Sequence, residues 1–243
     1  MPDPLTWMIL IGTALLGSTI GGVAGFGAGI LLLPVAAWTL GIRAAVPVLT
    51  VTMLLGNLAR IWWSRHDLHG GVTLRFIAGA VPATAIGVMI LAGASSDWLG
   101  RAIGAFLLAA VPLRRVLTSG RLHVRAAHFP LIGGAVGLLS ALVVTTGPVV
   151  TPFFLAYGLR RGAFIATEAM CAGAMHVTRG LVFARYRMIS SEILIIGLVL
   201  GATMFAGAWI GRRMLDRMSD RVFLAVIEVL LVGMGLQMLL VPR

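Results

Sequence analysis

The chain has 243 residues, 59% hydrophobic and 11% charged, with a mean hydropathy of +1.02. A soluble domain carries roughly 25% charged residues, so this composition excludes a soluble globular protein and indicates an integral membrane protein. The net charge of +11 comes from 19 basic residues, all arginine. Most lie between apolar blocks, where they set topology rather than bind nucleic acid.

Apolar blocks of about 20 residues recur, each long enough to cross about 30 Å of hydrocarbon as a helix. The alternating ten-residue strands of a β-barrel are absent. In chain order the expected helical segments are 5–20 with 30–40, 44–64, 72–93, 98–117, 128–146 with 148–157, 162–184, 190–212 and 221–241. The N-terminus, MPDPLTW, lacks the basic region of a secretory signal peptide, so the first apolar segment is expected to stay in the mature protein. Polar turns such as HDLHGG and ARYRMISS separate the segments. SSDW around Asp97 and MSDR around Asp220 have the composition of helix N-caps. Trp62, Trp63 and Trp98 sit near span ends as interface anchors. Cys171 is the single cysteine, so no intramolecular disulfide forms.

The longest hydrophilic stretch, 114–128, nearly bisects the chain. The expected organisation is a first membrane repeat at 1–117, a connecting loop at 118–127 and a second repeat at 128–243. GAGILLLPVAAWTLGIR (27–43) parallels TTGPVVTPFFLAYGLR (145–160), and Thr50 and Thr167 each follow nine residues after Gly41 and Gly158. Internal duplication in a membrane chain favours transporters.

Arginine placement tests the topology. If 5–40 and 128–157 each cross once, the two sides hold 8 and 9 arginines. If each is instead a re-entrant pair, one side holds 5 and the other 12, with Arg60 and Arg179 inside helices. The positive-inside rule prefers the second arrangement. Each half then has three full spans, the repeats are inverted, and both termini are extracytoplasmic. The fold expected is therefore an all-α polytopic membrane protein of two halves, each with one broken segment.

The break falls in GGVAGFGAGILLLP, where five glycines occupy positions 21–29. Glycine is costly inside a helix and accessible to positive φ. A broken helix in a membrane survives only where protein or a wet cavity surrounds it. It exposes free N–H groups and a partial positive charge at the start of the next helix, which suits an anion. The equivalent turn in the second half is TTGP (145–148), where Pro148 fits a helix start. Gly25, Gly27, Gly29, Thr145, Thr146 and Gly147 are therefore candidate substrate-binding positions. Close helix packing is the alternative use of such glycines. No Lys-Ser/Thr follows them, so they do not form a phosphate loop.

GFGAGILLLPVAAWTLGIR followed by AVPVLTVT, and the second-half TTGPVVTPFFLAYGLRRGAFIATEAM, resemble the sulfite exporter TauE/SafE-type permease family. The resemblance covers nearly the whole chain. It implies 7–8 spans and the movement of sulfur-containing anions such as sulfite, sulfoacetate and other organosulfonates. Two departures stand out: TTGP replaces a glycine-rich turn, and ATEA replaces Ala-Thr-Ser, so Glu168 takes the serine position.

Ionisable groups inside spans are functional candidates by default. In 44–64, Thr50, Asn57 and Arg60 are candidate substrate contacts, and Asn57 and Arg60 share a face. Arg60 has a second reading as a side chain that snorkels to the interface. In 162–184 the candidates are Glu168, His176 and Arg179. Glu168 lies about 10 Å of rise beyond Arg161 and needs either protonation or a partner on another helix. It is the candidate proton-coupling group, and His176 is suited to a relay. Glu228, mid-span in RVFLAVIEVLLVG, ranks below it. The histidines lack metal-ligand spacing and no hydrolase grouping appears, so neither catalysis, a metal nor a cofactor is expected. The function expected is secondary transport of small sulfur-containing anions across the bacterial inner membrane, with proton coupling open to it through Glu168. The alternatives are a passive anion channel or a scaffold subunit without substrate. The sequence leaves homo-oligomers open.

Overall fold

The computed structural model describes residues 2–92, 124–142, 146–226 and 229. Expected segment 98–117, most of 221–241, and Asp97, Trp98, Thr145 and Glu228 lie outside them. Among the described residues all regular structure is helical: α1 (Pro4–Ala24), α2 (Ala28–Leu40), α3 (Ile42–Ser64), α4 (Gly70–Ala92), α5 (Phe129–Leu142), α6 (Gly147–Tyr157), α7 (Arg161–Arg185) and α8 (Ser191–Asp216). Helical residues 220–226 follow. Their cap comes from Ser219 rather than Asp220, with the Ser219 hydroxyl accepting from the Val222 N–H at 3.3 Å. Among the described residues, four helical stretches are long and apolar enough to cross a membrane: Pro4–Ala24, Ala44–Asp67, Gly70–Ile90 and Ser191–Asp216. Their outward faces carry large exposed apolar side chains, including Met8 at 72% and Leu74 at 72% exposure. Patches of that kind are stable against lipid, not water.

The break in the first half is narrower than the glycine-rich stretch. α1 continues through Gly21 and Gly22, and only Gly25–Gly27 is non-helical. Gly25 (φ 82) and Gly27 (φ 127) adopt backbone angles that side-chain-bearing residues rarely take. Gly22 instead serves packing, since a methyl group there would lie 2.9 Å from the Gly211 Cα of α8. Gly29 is helical, in the first turn of α2. α2 packs against both α1 and α3. A methyl on Gly17 of α1 would lie 2.9 Å from the Ala28 Cα, so α2 begins against the last turns of α1.

The second half repeats this punctuation. α6 has 11 residues, roughly 16 Å at 1.5 Å per residue, too short to cross the hydrocarbon alone; the described part of α5 has 14. Phe129, the first residue of α5, packs edge-on to Tyr157 at the end of α6, with ring centroids 5.3 Å apart. The start of α5 and the end of α6 therefore lie side by side. Gly41 (φ 78) and Gly158 (φ 106) close the short helices of the two halves.

α7 is the least apolar of these helices, yet about half of its residues are buried. It packs against α1, α3, α4 and α6 and buries Glu168, His176 and Arg179. α3 runs antiparallel beside it: Asn57 lies opposite Gly173, Thr50 opposite Gly180, and Arg60 meets Glu168.

At one end of the bundle, polar contacts tie the α3–α4 corner to α7 and α8. The Arg212 guanidinium donates to Asp67 at 2.7 Å and to the Ser64 hydroxyl at 2.9 Å. The His69 N–H donates to the Thr167 hydroxyl at 3.2 Å. The Arg212 and Asp67 side chains are 24% and 38% exposed, so solvent screens the pair. Asp67→Asn is expected to cost about 1 kcal/mol or less, read as a thermal shift of a few degrees in detergent.

Candidate functional site

The two breaks touch. A methyl on Gly147, the first residue of α6, would overlap the Cβ of Phe26 in the first break. Between this contact and the α3–α7 seam lies a cavity of about 40 Å³. A water needs roughly 10–15 Å³ measured this way, so the cavity has room for a small polyatomic guest.

Gly25, Gly27 and Gly29 line it from the first half, and Thr146 and Gly147 from the second. The residues before α2 and α6, Gly27 and Thr146, make no side-chain cap. Two helix starts thus open on one cavity. α2 brings its first-turn N–H groups, uncapped by side chains; in α6 Pro148 has no N–H and the Val149 N–H donates to the Thr146 carbonyl at 3.0 Å, so the Gly147 N–H is the donor of that start. Each start carries the partial positive charge of a helix N-terminus.

The polar wall comes from α3 and α7. Arg60 does not snorkel; its guanidinium turns inward. Nη1 donates to the Gly25 carbonyl and to Glu168 Oε2, the latter at 2.6 Å, and Nη2 donates to Asn57 Oδ1. The Arg60 and Glu168 side chains are 12% and 4% exposed, so this is a buried ion pair. The partner that a deep Glu168 requires therefore sits on another helix, 108 residues away in sequence. With Oδ1 engaged, the Asn57 amide N–H groups are left for other acceptors. His176 lines the other end of the cavity, with Met53, and its Nδ1 has no hydrogen-bond partner among the described residues.

Two candidates lie off the cavity wall. The Thr50 hydroxyl donates to the Val46 carbonyl at 2.9 Å within its own helix. Arg179, 1% exposed, sits beyond His176 at the Thr50 level of the seam. Thr145 is outside the described residues. Sequence reasoning passed over Phe26, Met53 and Ala172, which also line the cavity. Phe26 carried a signal, being the one bulky residue among the glycines of 21–29.

Together these features define a multi-pass helical membrane protein with a cavity, lined by a buried ion pair, where two helix breaks meet. The chain belongs to the TauE/SafE sulfite exporter family: the family profile, Sulfite exporter TauE/SafE, matches residues 10–238. Members of that family are membrane transporters of sulfite or related anions. The resemblance read from GFGAGILLLP and its second-half counterpart is thus borne out. No curated protein and no solved structure matches the chain.

Proposed function

We propose that this protein is a secondary transporter of small sulfur-containing anions, such as sulfite or organosulfonates, in the bacterial inner membrane. The cavity is its substrate site. The observation that carries this reading is the meeting of two helix starts, uncapped by side chains, at a cavity that the Arg60 guanidinium also lines. Gly25, Gly27, Gly29, Thr146 and Gly147 supply backbone and hydroxyl contacts, Asn57 and Arg60 contribute side-chain donors, and His176 bounds the far end. Thr50, Thr145 and Arg179 belong to the path on either side. Glu168 is the proton-coupling group.

The halves 1–117 and 128–243, joined by 118–127, act as inverted repeats that rock against each other to alternate access. The Arg212–Asp67 contact supports the re-entrant topology. Eight simple crossings would put Arg65 and Arg212 on opposite membrane faces, whereas these neighbouring groups meet at one end. The arginine-rich end is then cytoplasmic and both termini extracytoplasmic.

A ligand screen tests the reading. Purified protein is heated with sulfite, thiosulfate, sulfoacetate, taurine, sulfate or neutral analogues. A ligand at 100 times its Kd stabilises by about 2.7 kcal/mol, a shift of several degrees for a chain of this size. A rise with at least one sulfur-containing anion and none with the neutral analogues is expected. A flat response to every anion at millimolar concentration defeats the proposal.

A further inference from the structure

We propose that the Arg60 guanidinium serves the Glu168 carboxylate and the guest anion in alternation, so that each anion occupies the cavity together with one proton held by Glu168. The proposal rests on the cavity being an anion site. It adds the coupling stoichiometry and the event that enforces it.

Among the described residues Arg60 is the one arginine that lines the cavity. Its donors are already committed: Nη1 to the Gly25 carbonyl and Glu168 Oε2, and Nη2 to Asn57 Oδ1. With Glu168 ionised, the pair is neutral. An anion added beside this largely buried pair is a third charge without a cation of its own, and its desolvation is not offset. An anion that takes Nη1 is compensated but strands the carboxylate, whose side chain is 4% exposed.

Among the described residues, the groups around Glu168 offer no replacement cation. From α3 it meets Arg60. On its own helix the ionisable groups are Arg161, Cys171, His176, Arg179 and Arg185. Arg161, seven residues and about 10 Å of rise away, donates to the Leu215 and Asp216 carbonyls and pairs with Asp220, and eleven residues, about 16 Å of rise, separate Glu168 from Arg179. His176 is eight residues away, about 12 Å of rise, at the other end of the cavity. From α1, α2, α6 and the breaks come glycines, Phe26, Ala28 and Thr146, none of them ionisable. The adjacent Thr167 hydroxyl accepts from the His69 N–H, and His69 is not among the residues lining the cavity. A proton therefore completes the balance. The anion replaces Oε2 on Nη1, and a carboxylate oxygen takes one proton from hydronium or a buffer acid in the solution, whose conjugate base stays in the bulk. A monoanion then leaves the loaded cavity as neutral as the empty one, and both states can reorient without moving net charge.

Asn57 is a positioning residue in this exchange. It stands three residues before Arg60 on the same face, and its Oδ1 holds Nη2 while Nη1 changes partners. The Gly25 carbonyl on Nη1 links the same exchange to the first break.

The test uses the full chain in nanodiscs with methanesulfonate and thiosulfate, which stay fully ionised near neutral pH, whereas sulfite itself takes up a proton there. Binding is measured in a weakly buffered solution containing a pH indicator, and by calorimetry in two buffers of different ionisation heat. The wild-type protein is expected to take up about one proton per methanesulfonate bound, with affinity falling about tenfold per pH unit where empty-state Glu168 is ionised. Glu168→Gln is expected to bind methanesulfonate with no proton uptake and no pH dependence. Wild-type binding without proton uptake overturns this proposal and leaves the anion site standing, and needs no variant to be read. Proton uptake that persists in Glu168→Gln also overturns it, by placing the proton elsewhere. Absence of binding by either probe at any pH overturns the proposal and the anion site together.

Discussion

Arg60→Gln is expected to cost about 3–5 kcal/mol of stability, the usual penalty for removing one partner of a buried ion pair, and to end anion transport. Glu168 would then lie 4% exposed with no guanidinium, and the Gly25 carbonyl and Asn57 Oδ1 would lose their donor as well. The double variant Arg60→Gln/Glu168→Gln removes the stranded charge. Replacing both partners of a buried pair is often close to neutral, so most of the lost stability should return. Transport should not, because the cation that attracts the anion is still missing. The separation of the two readouts is the informative part. Thermal unfolding of the wild type, both single variants and the double variant gives a mutant cycle, and sulfite uptake into proteoliposomes gives the second measurement. If Arg60→Gln unfolds at the wild-type temperature, the two side chains are not a buried pair. If the double variant transports at the wild-type rate, Arg60 is not the anion's cation.

How much of this could be read in the sequence depended on whether the information was local. The helix breaks were legible because their causes are local. Glycine tolerates the positive φ found at Gly25, Gly27, Gly41 and Gly158, and proline marks the start of α6. The similar corners at Gly41 and Gly158 follow from the same chemistry. The extent of the first break was less legible. Gly21, Gly22 and Gly29 look like Gly25 in a string of letters, yet the first two continue α1 and Gly29 belongs to α2. The neighbour that Gly22 meets is Gly211, nearly the whole chain away. The Arg60–Glu168 pair was illegible for the same reason. Depth along α7 showed that Glu168 needed a partner or a proton, but nothing local linked it to position 60. The same local view left Arg60 divided between snorkelling and an inward role. Tertiary contact decides this, because turning inward satisfies Glu168, Asn57 and the Gly25 carbonyl at once, whereas turning outward satisfies only Arg60.

Gly147→Val should reduce sulfite transport per folded protein by more than tenfold while leaving most of the protein folded. Gly147 is where the start of α6 meets the first break at the cavity. A Cβ there would overlap the Phe26 Cβ and stand 3.2 Å from its Cγ and 3.5 Å from its Cα. Neither side retreats easily. Phe26 is 4% exposed and is flanked by Gly25 and Gly27 in their special backbone conformations. The start of α6 is fixed by the Thr151 hydroxyl, which donates to the Gly147 carbonyl at 2.6 Å. Overpacking of this kind costs about 1–3 kcal/mol, a loss that a domain with 5–15 kcal/mol of stability survives. The breaks must part to accept the branched side chain, and the helix starts that face the cavity separate with them. Gly158→Ala is the matched comparison. Gly158 has φ 106, and a methyl group there would meet no described atom within 4 Å, so alanine strains the backbone by about 1–2 kcal/mol without pressing on the cavity. Similar stability losses should therefore accompany very different transport, with Gly158→Ala close to wild type per folded molecule. Equal transport by Gly147→Val and Gly158→Ala, normalised to folded protein, would show that the contact between the breaks does not shape the substrate site.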